Sequence, residues 1–292
     1  MSDNMKVIEL ITVASEHLKS CGFENPRLEV ERMLGCVIDC SRVELYLNFE
    51  RPLSDTERDT FRGLFKRRLT HEPLQHILGV SEFKEITVNT DRRALIPRPE
   101  TELLVDIAVD FLGKTDSPHV ADIGTGSGVI ALSIAYEIPE SSVVAVDISD
   151  DALSLARENA CLIGVEDRVS FVYGDMLEGL KEMGVFDAIL SNPPYIKSGS
   201  IPSLQPEVRD YDPSIALDGG NDGLKYLAGL AENADRFLNP GGIVLLECGE
   251  GQTQEIKGTF EKTGRYSSVE IIKDLSNNNR IVKAVKRGKE GK

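Results

Sequence analysis

The sequence predicts an α/β fold: a doubly wound, mostly parallel sheet whose last strand runs antiparallel, with a small all-helical N-terminal domain in front of it. Three observations predict this. From residue 119 onward, strand patterns and helix patterns alternate, the signature of parallel strands joined by helical crossovers. The last two strand patterns are joined only by Asn277-Asn278-Asn279, which suits a hairpin and so reverses the final strand. Before residue 72 the apolar residues recur at helical spacing alone.

The helical part reads clearly. Val7, Ile8, Leu10, Ile11 and Leu18 form a stripe that ends near Gly22. Asn25-Pro26 is a start signal, a cap residue followed by proline at the first helical position. Leu28, Met33, Leu34 and Val37 continue it. Ser41 with Glu44 and Ser54 with Glu57 fit capping boxes, in which hydroxyl and carboxylate satisfy reciprocal backbone N–H groups. Phe61, Leu64, Phe65 and Leu69 give the last helix its apolar face. Residues 1–72 are therefore expected to be a helical, substrate-docking domain.

Residues 73–97 are expected to form a β-hairpin linker: Ile86-Thr87-Val88 alternates, and Leu95-Ile96 follows the polar stretch Asn89 to Arg93. Residues 98–292 make the third segment, the domain that carries the sheet. Pro97 and Pro99 stiffen the approach to a helix through Leu103, Leu104, Ile107 and Phe111, with Glu100 and Glu102 at its positive end. This segment is either a helix start alone or also a border of the active site. Strands are expected at His119–Ile123, Ser142–Val146, Val169–Tyr173, Phe186–Ser191, Ile243–Glu247, Ser267–Ile272 and Arg280–Val285. Helices are expected from Val129, over Asp151–Leu162 and over Leu224–Phe237, and the basic tail Lys286–Lys292 is expected to fray.

Composition narrows the function. The chain has 292 residues, enough for two domains, and a net charge of −15. Gripping duplex DNA through its phosphates needs clustered Lys and Arg, so the charge argues against a broad nucleic-acid face. Cys21, Cys36, Cys40, Cys161 and Cys248 are scattered and odd in number. Cys36 and Cys40 lack a second Cys or His pair at zinc spacing, so reduced thiols and no metal are expected. Asp3 and Glu9 spoil any signal-peptide pattern, and no apolar run approaches the ~18 residues that span a membrane. A soluble cytoplasmic protein is the expectation.

The chemistry is read at the strand ends, where open α/β sheets bind ligands. Gly124-Thr125-Gly126-Ser127-Gly128 follows the first of these strands. The dinucleotide fingerprint needs its third glycine at 129, where this chain has Val129, so a nucleoside without a pyrophosphate fits better. Asp147 ends the next strand, where a carboxylate can take both ribose hydroxyls; otherwise it only helps start the next helix, for which Ser149 is a competent cap. Asp175 could accept from an adenine amino group with Met176 beside the ring, or it makes an Asx-turn. The apolar strand Phe186–Ser191 stops at Asn192-Pro193-Pro194-Tyr195. Proline fixes its own φ and holds the preceding residue extended, so this is a rigid spur. It offers carbonyls, a carboxamide and a phenol with no N–H from either proline, which suits gripping a planar NH2 group.

These residues resemble the class I S-adenosylmethionine-dependent methyltransferases, and Asn192 to Tyr195 resembles the members that methylate adenine N6 or a glutamine amide. Pro73 to Gly79, Leu95 to Glu102, and Glu207-Val208 with Tyr211 to Leu224 are together similar to the protein-(glutamine-N5) methyltransferases, over about residues 25–285. His76 stands where that family often has Tyr, and Asp274 to Arg280 lacks its usual hairpin glycine. The resemblance implies a Rossmann-like methyltransferase sheet and S-adenosylmethionine as methyl donor, leaving S-adenosylhomocysteine. It implies that Gly124 to Gly128, Asp147, Asp175, Met176 and Asn192 bind the cofactor. Asn192 to Tyr195 would bind the substrate, with Asn192, Pro193 and Tyr195 catalytic. The Asn192 oxygen and the Pro193 carbonyl would each accept one N–H, and Tyr195 would pack against the amide. The implied client is the Gly-Gly-Gln loop of a peptide-chain release factor, met by a monomer. A ribosomal-protein glutamine and, less well, a nucleic-acid adenine are the alternatives. A non-catalytic nucleoside-binding module would show a damaged glycine loop or a lost Asn192, and this sequence has neither.

Overall fold

The structure, a computed structural model, describes residues 5–288. Asp3, and Lys289 to Lys292 of the basic tail, lie outside them. The chain divides between Gly79 and Val80 into two compact units, rather than at residue 72. The first unit extends to Gly79 because residues 74–78 fold as a further helix on its core.

That unit contains α1 (Val7–Ser20), α2 (Pro26–Ile38), α3 (Arg42–Leu47), α4 (Asp55–Leu69) and α5 (Leu74–Leu78). Its core joins Val7, Ile11 and Leu18 of α1 to Met33 and Leu34 of α2, Leu45, Phe61 and Ile77. Both capping boxes form: Glu44 and Glu57 accept from the backbone N–H of Ser41 and Ser54, each at 2.8 Å. Asn25 holds the cap position of α2 but makes no side-chain cap bond; Pro26 at the first helical position sets the start. Glu31 is fully buried, and Arg27 at 2.8 Å, Arg42 at 2.5 Å and Tyr46 at 2.9 Å satisfy it. A buried carboxylate without such partners would be costly.

The second unit begins with a hairpin, β1 (Val80–Phe83) and β2 (Ile86–Asn89), turning at Lys84-Glu85 with Lys84 at φ 48°. Ile86–Val88 therefore pairs upstream, not with Leu95-Ile96. A two-residue loop matches strand twist when its first residue takes positive φ, and Lys84 does so without the usual Asn or Gly. In chain order α6 (Pro99–Leu112), β3 (His119–Ile123), α7 (Val129–Glu137), β4 (Ser142–Asp147), α8 (Asp150–Ile163), β5 (Val169–Tyr173) and β6 (Phe186–Ser191) follow. After them come α9 (Pro206–Arg209), α10 (Lys225–Asn233), β7 (Leu238–Glu247), α11 (Thr253–Thr263), β8 (Tyr266–Lys273) and β9 (Asn279–Lys286).

The seven-stranded sheet has the order β5-β4-β3-β6-β7-β9-β8. β3 to β7 pair in parallel, and β9 runs antiparallel to both of its neighbours. Alternate residues feed two cores. Val120, Val143, Ala188 and Ile243 face the core containing α6 and α7; Ala121, Val144, Ile189 and Val244 face the core containing α10 and α11. Covering both faces explains the unbroken apolar strands. α11, absent from the sequence expectations, sits between β7 and β8 and buries Ile256 and Phe260. The expected helix to Phe237 tightens into a 3₁₀ turn at Ala234–Phe237. The tail does not fray at Lys286: its Nζ donates to the Asp235 and Leu238 carbonyls at 2.7 and 2.6 Å. Among the described residues, no helix is long and apolar enough to cross a membrane.

Candidate active site

β3 feeds β4 on one side and lies beside β6 on the other, so strand order reverses between β3 and β6. Outside the carboxyl ends of these strands lies a cavity of about 270 Å³. Gly124, Thr125, Gly126, Ser127, Asp147, Asp175, Met176, Asn192 and Pro194 are in its wall, as are Ile96, Pro97, Arg98 and Thr101. The stiff segment before α6 thus borders the same cavity as the glycine loop and the spur.

The glycine loop is held from below. Gly124 and Gly126 take φ of 72° and 56°, a region that only glycine enters freely. Asp122, completely buried near the end of β3, accepts from the Thr125 hydroxyl at 2.6 Å and from the Ala131 N–H at 3.2 Å. The Thr125 hydroxyl proton is therefore spent on the loop, and its oxygen and backbone are what remain for a ligand. Burial pushes the Asp122 carboxyl up to about 7, against the hydrogen bonds from Thr125 and Ala131. Gly128 is not in the cavity wall. An added Cβ there would lie 3.1 Å from Ala156 Cβ and from Leu132 Cδ1, so this glycine serves the packing of α7 on α8.

Asp147 closes β4. Its Oδ2 accepts from the Gly126 N–H at 2.8 Å and its Oδ1 from the Ser149 N–H at 2.9 Å. Burial raises its pKa, and the backbone donors oppose the rise. Ser149 is the cap of α8, accepting from Ala152 N–H at 3.2 Å, so Asp147 is not needed for capping. Asp175 is exposed at the rim, and Met176 takes φ 50° beside it.

The spur is strapped by the segment after α9. Ile196 and Leu217–Gly219 exchange backbone bonds at 3.0 and 2.8 Å. Gln252, ahead of α11, donates to the Tyr195 and Gly223 carbonyls at 2.9 and 3.1 Å. A Cβ on Gly219 would meet Tyr195 Cα at 2.7 Å, which explains a glycine directly after Asp218. Arg98 pairs with Asp212 at 2.7 Å, locking the approach to α6 onto the same segment. Burial raises Asp212 to about 6 despite Arg98.

Asn192 lies half-buried in the wall, and its Nδ2 donates to Thr101 Oγ1 at 3.0 Å. Thr101 in turn donates to Glu247 Oε2 at 2.7 Å. Glu247 ends β7; burial, its largest influence, raises it to about 7. Pro193 is buried, and neither it nor Tyr195 is in the cavity wall. The Tyr195 ring is set against Gly249, where an added Cβ would be 2.9 Å from Cδ2, rather than toward the cavity. Burial pushes its phenol up to about 12. Sequence reasoning missed Asp122 and Glu247, and it named Thr101 only within a run. An acidic residue at or next to the end of an apolar strand was the available signal for both carboxylates.

Residues 9–79 match the family model described as PrmC N-terminal domain, and residues 101–204 the one described as Methyltransferase small domain. The chain is 43% identical to the release factor glutamine methyltransferase of Geobacter sulfurreducens, across 85% of this chain and 86% of that one. It is 38% identical to the enzyme of the same name from Rhodopirellula baltica, across 94% and 95%. Among solved structures, the hMettl16 catalytic domain in complex with MAT2A 3'UTR hairpin 6 shares the fold at 14% identity. Its TM-score is 0.59, over 74% of this chain and 82% of that one. A helical N-terminal unit, a sheet with its reversed strand, and a glycine loop facing an Asn-Pro-Pro-Tyr spur, at these identities over nearly the whole chain, place it: the protein belongs to the release factor glutamine methyltransferase family.

Proposed function

We propose that this enzyme transfers one methyl group from S-adenosylmethionine to the side-chain amide nitrogen, N5, of the glutamine in the Gly-Gly-Gln loop of a peptide-chain release factor. The observation that carries this is the placement of Asn192, at the end of β6, in the wall of the cavity that also contains Gly124, Gly126 and Asp147.

The walls suit a nucleoside with an amino-acid tail. Asp147 is already oriented by two backbone donors and keeps lone pairs for ribose hydroxyls. Ile148 and Met176 offer apolar surface for a base, and Asp175 an acceptor for its amino group. Gly124 and Gly126 let the backbone come close to the tail. When bound, S-adenosylmethionine supplies an electrophilic methyl on a sulfonium.

The chain's own residues supply grip and direction. An amide nitrogen is a poor nucleophile because its lone pair is delocalised into the carbonyl. Asn192 Oδ1 and the Pro193 carbonyl each accept one N–H of the substrate glutamine, which turns that lone pair toward the donor side. Pro193 and Pro194 keep competing N–H groups out of the spur. Gln252 holds the spur from behind through the Tyr195 carbonyl. Positioning of this kind supplies at most about 7–11 kcal/mol of the barrier. Nearby carbonyl dipoles favour positive charge spreading from the donor onto the nitrogen. The methylated amide is acidic enough to lose its extra proton without a strong base.

The test is incubation with labelled S-adenosylmethionine and, separately, a release factor, a ribosomal protein and DNA. Label in the release factor is the expected outcome. Label only in nucleic acid contradicts the proposal.

A further inference from the structure

The proposed reaction needs the Asn192 carboxamide to show its oxygen, not its nitrogen, to the substrate. A carboxamide can flip, and the two faces are nearly the same size. Something must choose. The spur itself does not, since Asn192 bonds to no neighbouring spur residue among the described residues; its side chain bonds to Thr101, 91 positions away in sequence.

We infer that Glu247 and Thr101 are positioning residues that set the polarity of Asn192. An ionised carboxylate accepts hydrogen bonds and cannot donate. Thr101 has a single hydroxyl proton, and Glu247 Oε2 at 2.7 Å takes it. The Thr101 oxygen is then only an acceptor toward Asn192, 3.0 Å away, so the NH2 must turn to it. Oδ1 is left facing away from Thr101 as an acceptor. Thr101 and Glu247 are 3% and 1% exposed, so water does not substitute for either partner. The relay uses three elements that share no local sequence: α6, β6 and β7.

Protonation of Glu247 removes this constraint. A neutral carboxyl can donate to Thr101, whose proton is then free for Asn192 Oδ1, and the flipped amide shows NH2 to the substrate NH2. The groups that act on Glu247 are Thr101 and Glu100 of α6, Arg98 just before it, and Arg280 of β9. Tyr195 and Cys248 are neutral neighbours, raised by burial to about 12. Turnover is therefore expected to fall on the acid side as Glu247 takes up its proton.

This inference rests on the proposed glutamine methylation, and one experiment separates the two. Steady-state methylation of a release factor is measured for the full-length wild type, Thr101→Val, Thr101→Ser and Glu247→Gln from about pH 6 to pH 9, with folding checked by thermal melting. The expected result for Thr101→Val is a kcat lower by ~100-fold with the KM for S-adenosylmethionine within ~3-fold, and kcat restored to within ~3-fold by Thr101→Ser. Glu247→Gln is neutral at every pH and can donate to Thr101 as the protonated acid does, so its kcat should lie below the wild-type plateau and be flat with pH, without an acid limb. Wild-type kcat in Thr101→Val overturns the relay. Where Thr101→Val does not fold, Glu247→Gln decides: a lost acid limb supports the relay and an unchanged one overturns it. A wild type that fails to methylate any release factor overturns the proposed function, and this inference with it.

Discussion

Asp147 accepts the Gly126 N–H at 2.8 Å, so the carboxylate at the end of β4 and the glycine loop after β3 form one hydrogen-bonded unit. The bond crosses from one strand end to its neighbour, where a ribose would lie between loop and carboxylate. Replacing Asp147 with Ala removes both the proposed ribose acceptor and the tether on the loop. Two charge-assisted hydrogen bonds at about 1.5 kcal/mol each predict cofactor affinity weakened by ~100-fold. Calorimetry with S-adenosylhomocysteine checks this. Unchanged affinity would remove Asp147 from the binding site.

Under the proposed mechanism, replacing Asn192 tests grip on the substrate apart from grip on the cofactor. Asn192→Ala should keep cofactor affinity within a few-fold and lose turnover by at least ~100-fold, the scale of removing one orienting group at a reacting centre. Binding and single-turnover rates are measured separately. Normal turnover would exclude Asn192 from the mechanism.

Gly219 tests whether the spur must be held rigidly. A Cβ there would sit 2.7 Å from Tyr195 Cα and 2.8 Å from the Pro194 carbonyl, both backbone atoms that cannot move aside cheaply. Gly219→Ala should therefore shift the spur and lower kcat by ~10–100-fold while leaving cofactor affinity nearly intact, since misplacement by about 1 Å is enough to do so. A variant with wild-type kcat would show that the strap is not needed.

Asp122 makes stability depend on pH. Burial raises its carboxyl from 3.8 to about 7, so the fold prefers the protonated form. Its contribution is fully present below the unfolded value and is lost as pH rises through about 7. Asp122→Asn stays neutral throughout. Relative to wild type, its unfolding free energy should improve by on the order of 2 kcal/mol between about pH 5 and pH 8. Urea melts at both pH values measure this. A difference independent of pH would mean that Asp122 is ionised in the fold.

Much of the fold is legible locally. β3 to β6 coincide with apolar runs that both sheet faces require, and each ends at a polar or glycine signal visible in the chain. The spur is legible because two prolines dictate backbone conformation wherever they occur. What is illegible depends on distance or burial. The hairpin partner of Ile86–Val88 is upstream because Lys84 adopts a positive φ that no turn residue announces. Glu247 reads as an ordinary strand-end acid until β7 is placed beside β6 and Thr101 closes over it. Gly128 reads as part of a ligand loop, whereas Ala156 and Leu132 leave room there for nothing larger. Tyr195 reads as a partner for the amide, yet its ring is set against Gly249.

The most direct measurement is mass spectrometry of the Gly-Gly-Gln peptide from a release factor, with and without this protein and S-adenosylmethionine. The expected result is one added methyl on the glutamine side-chain amide, present only in the complete reaction and absent with Asn192→Ala. An unmodified glutamine in the complete reaction, or a methyl on any other residue, would contradict it.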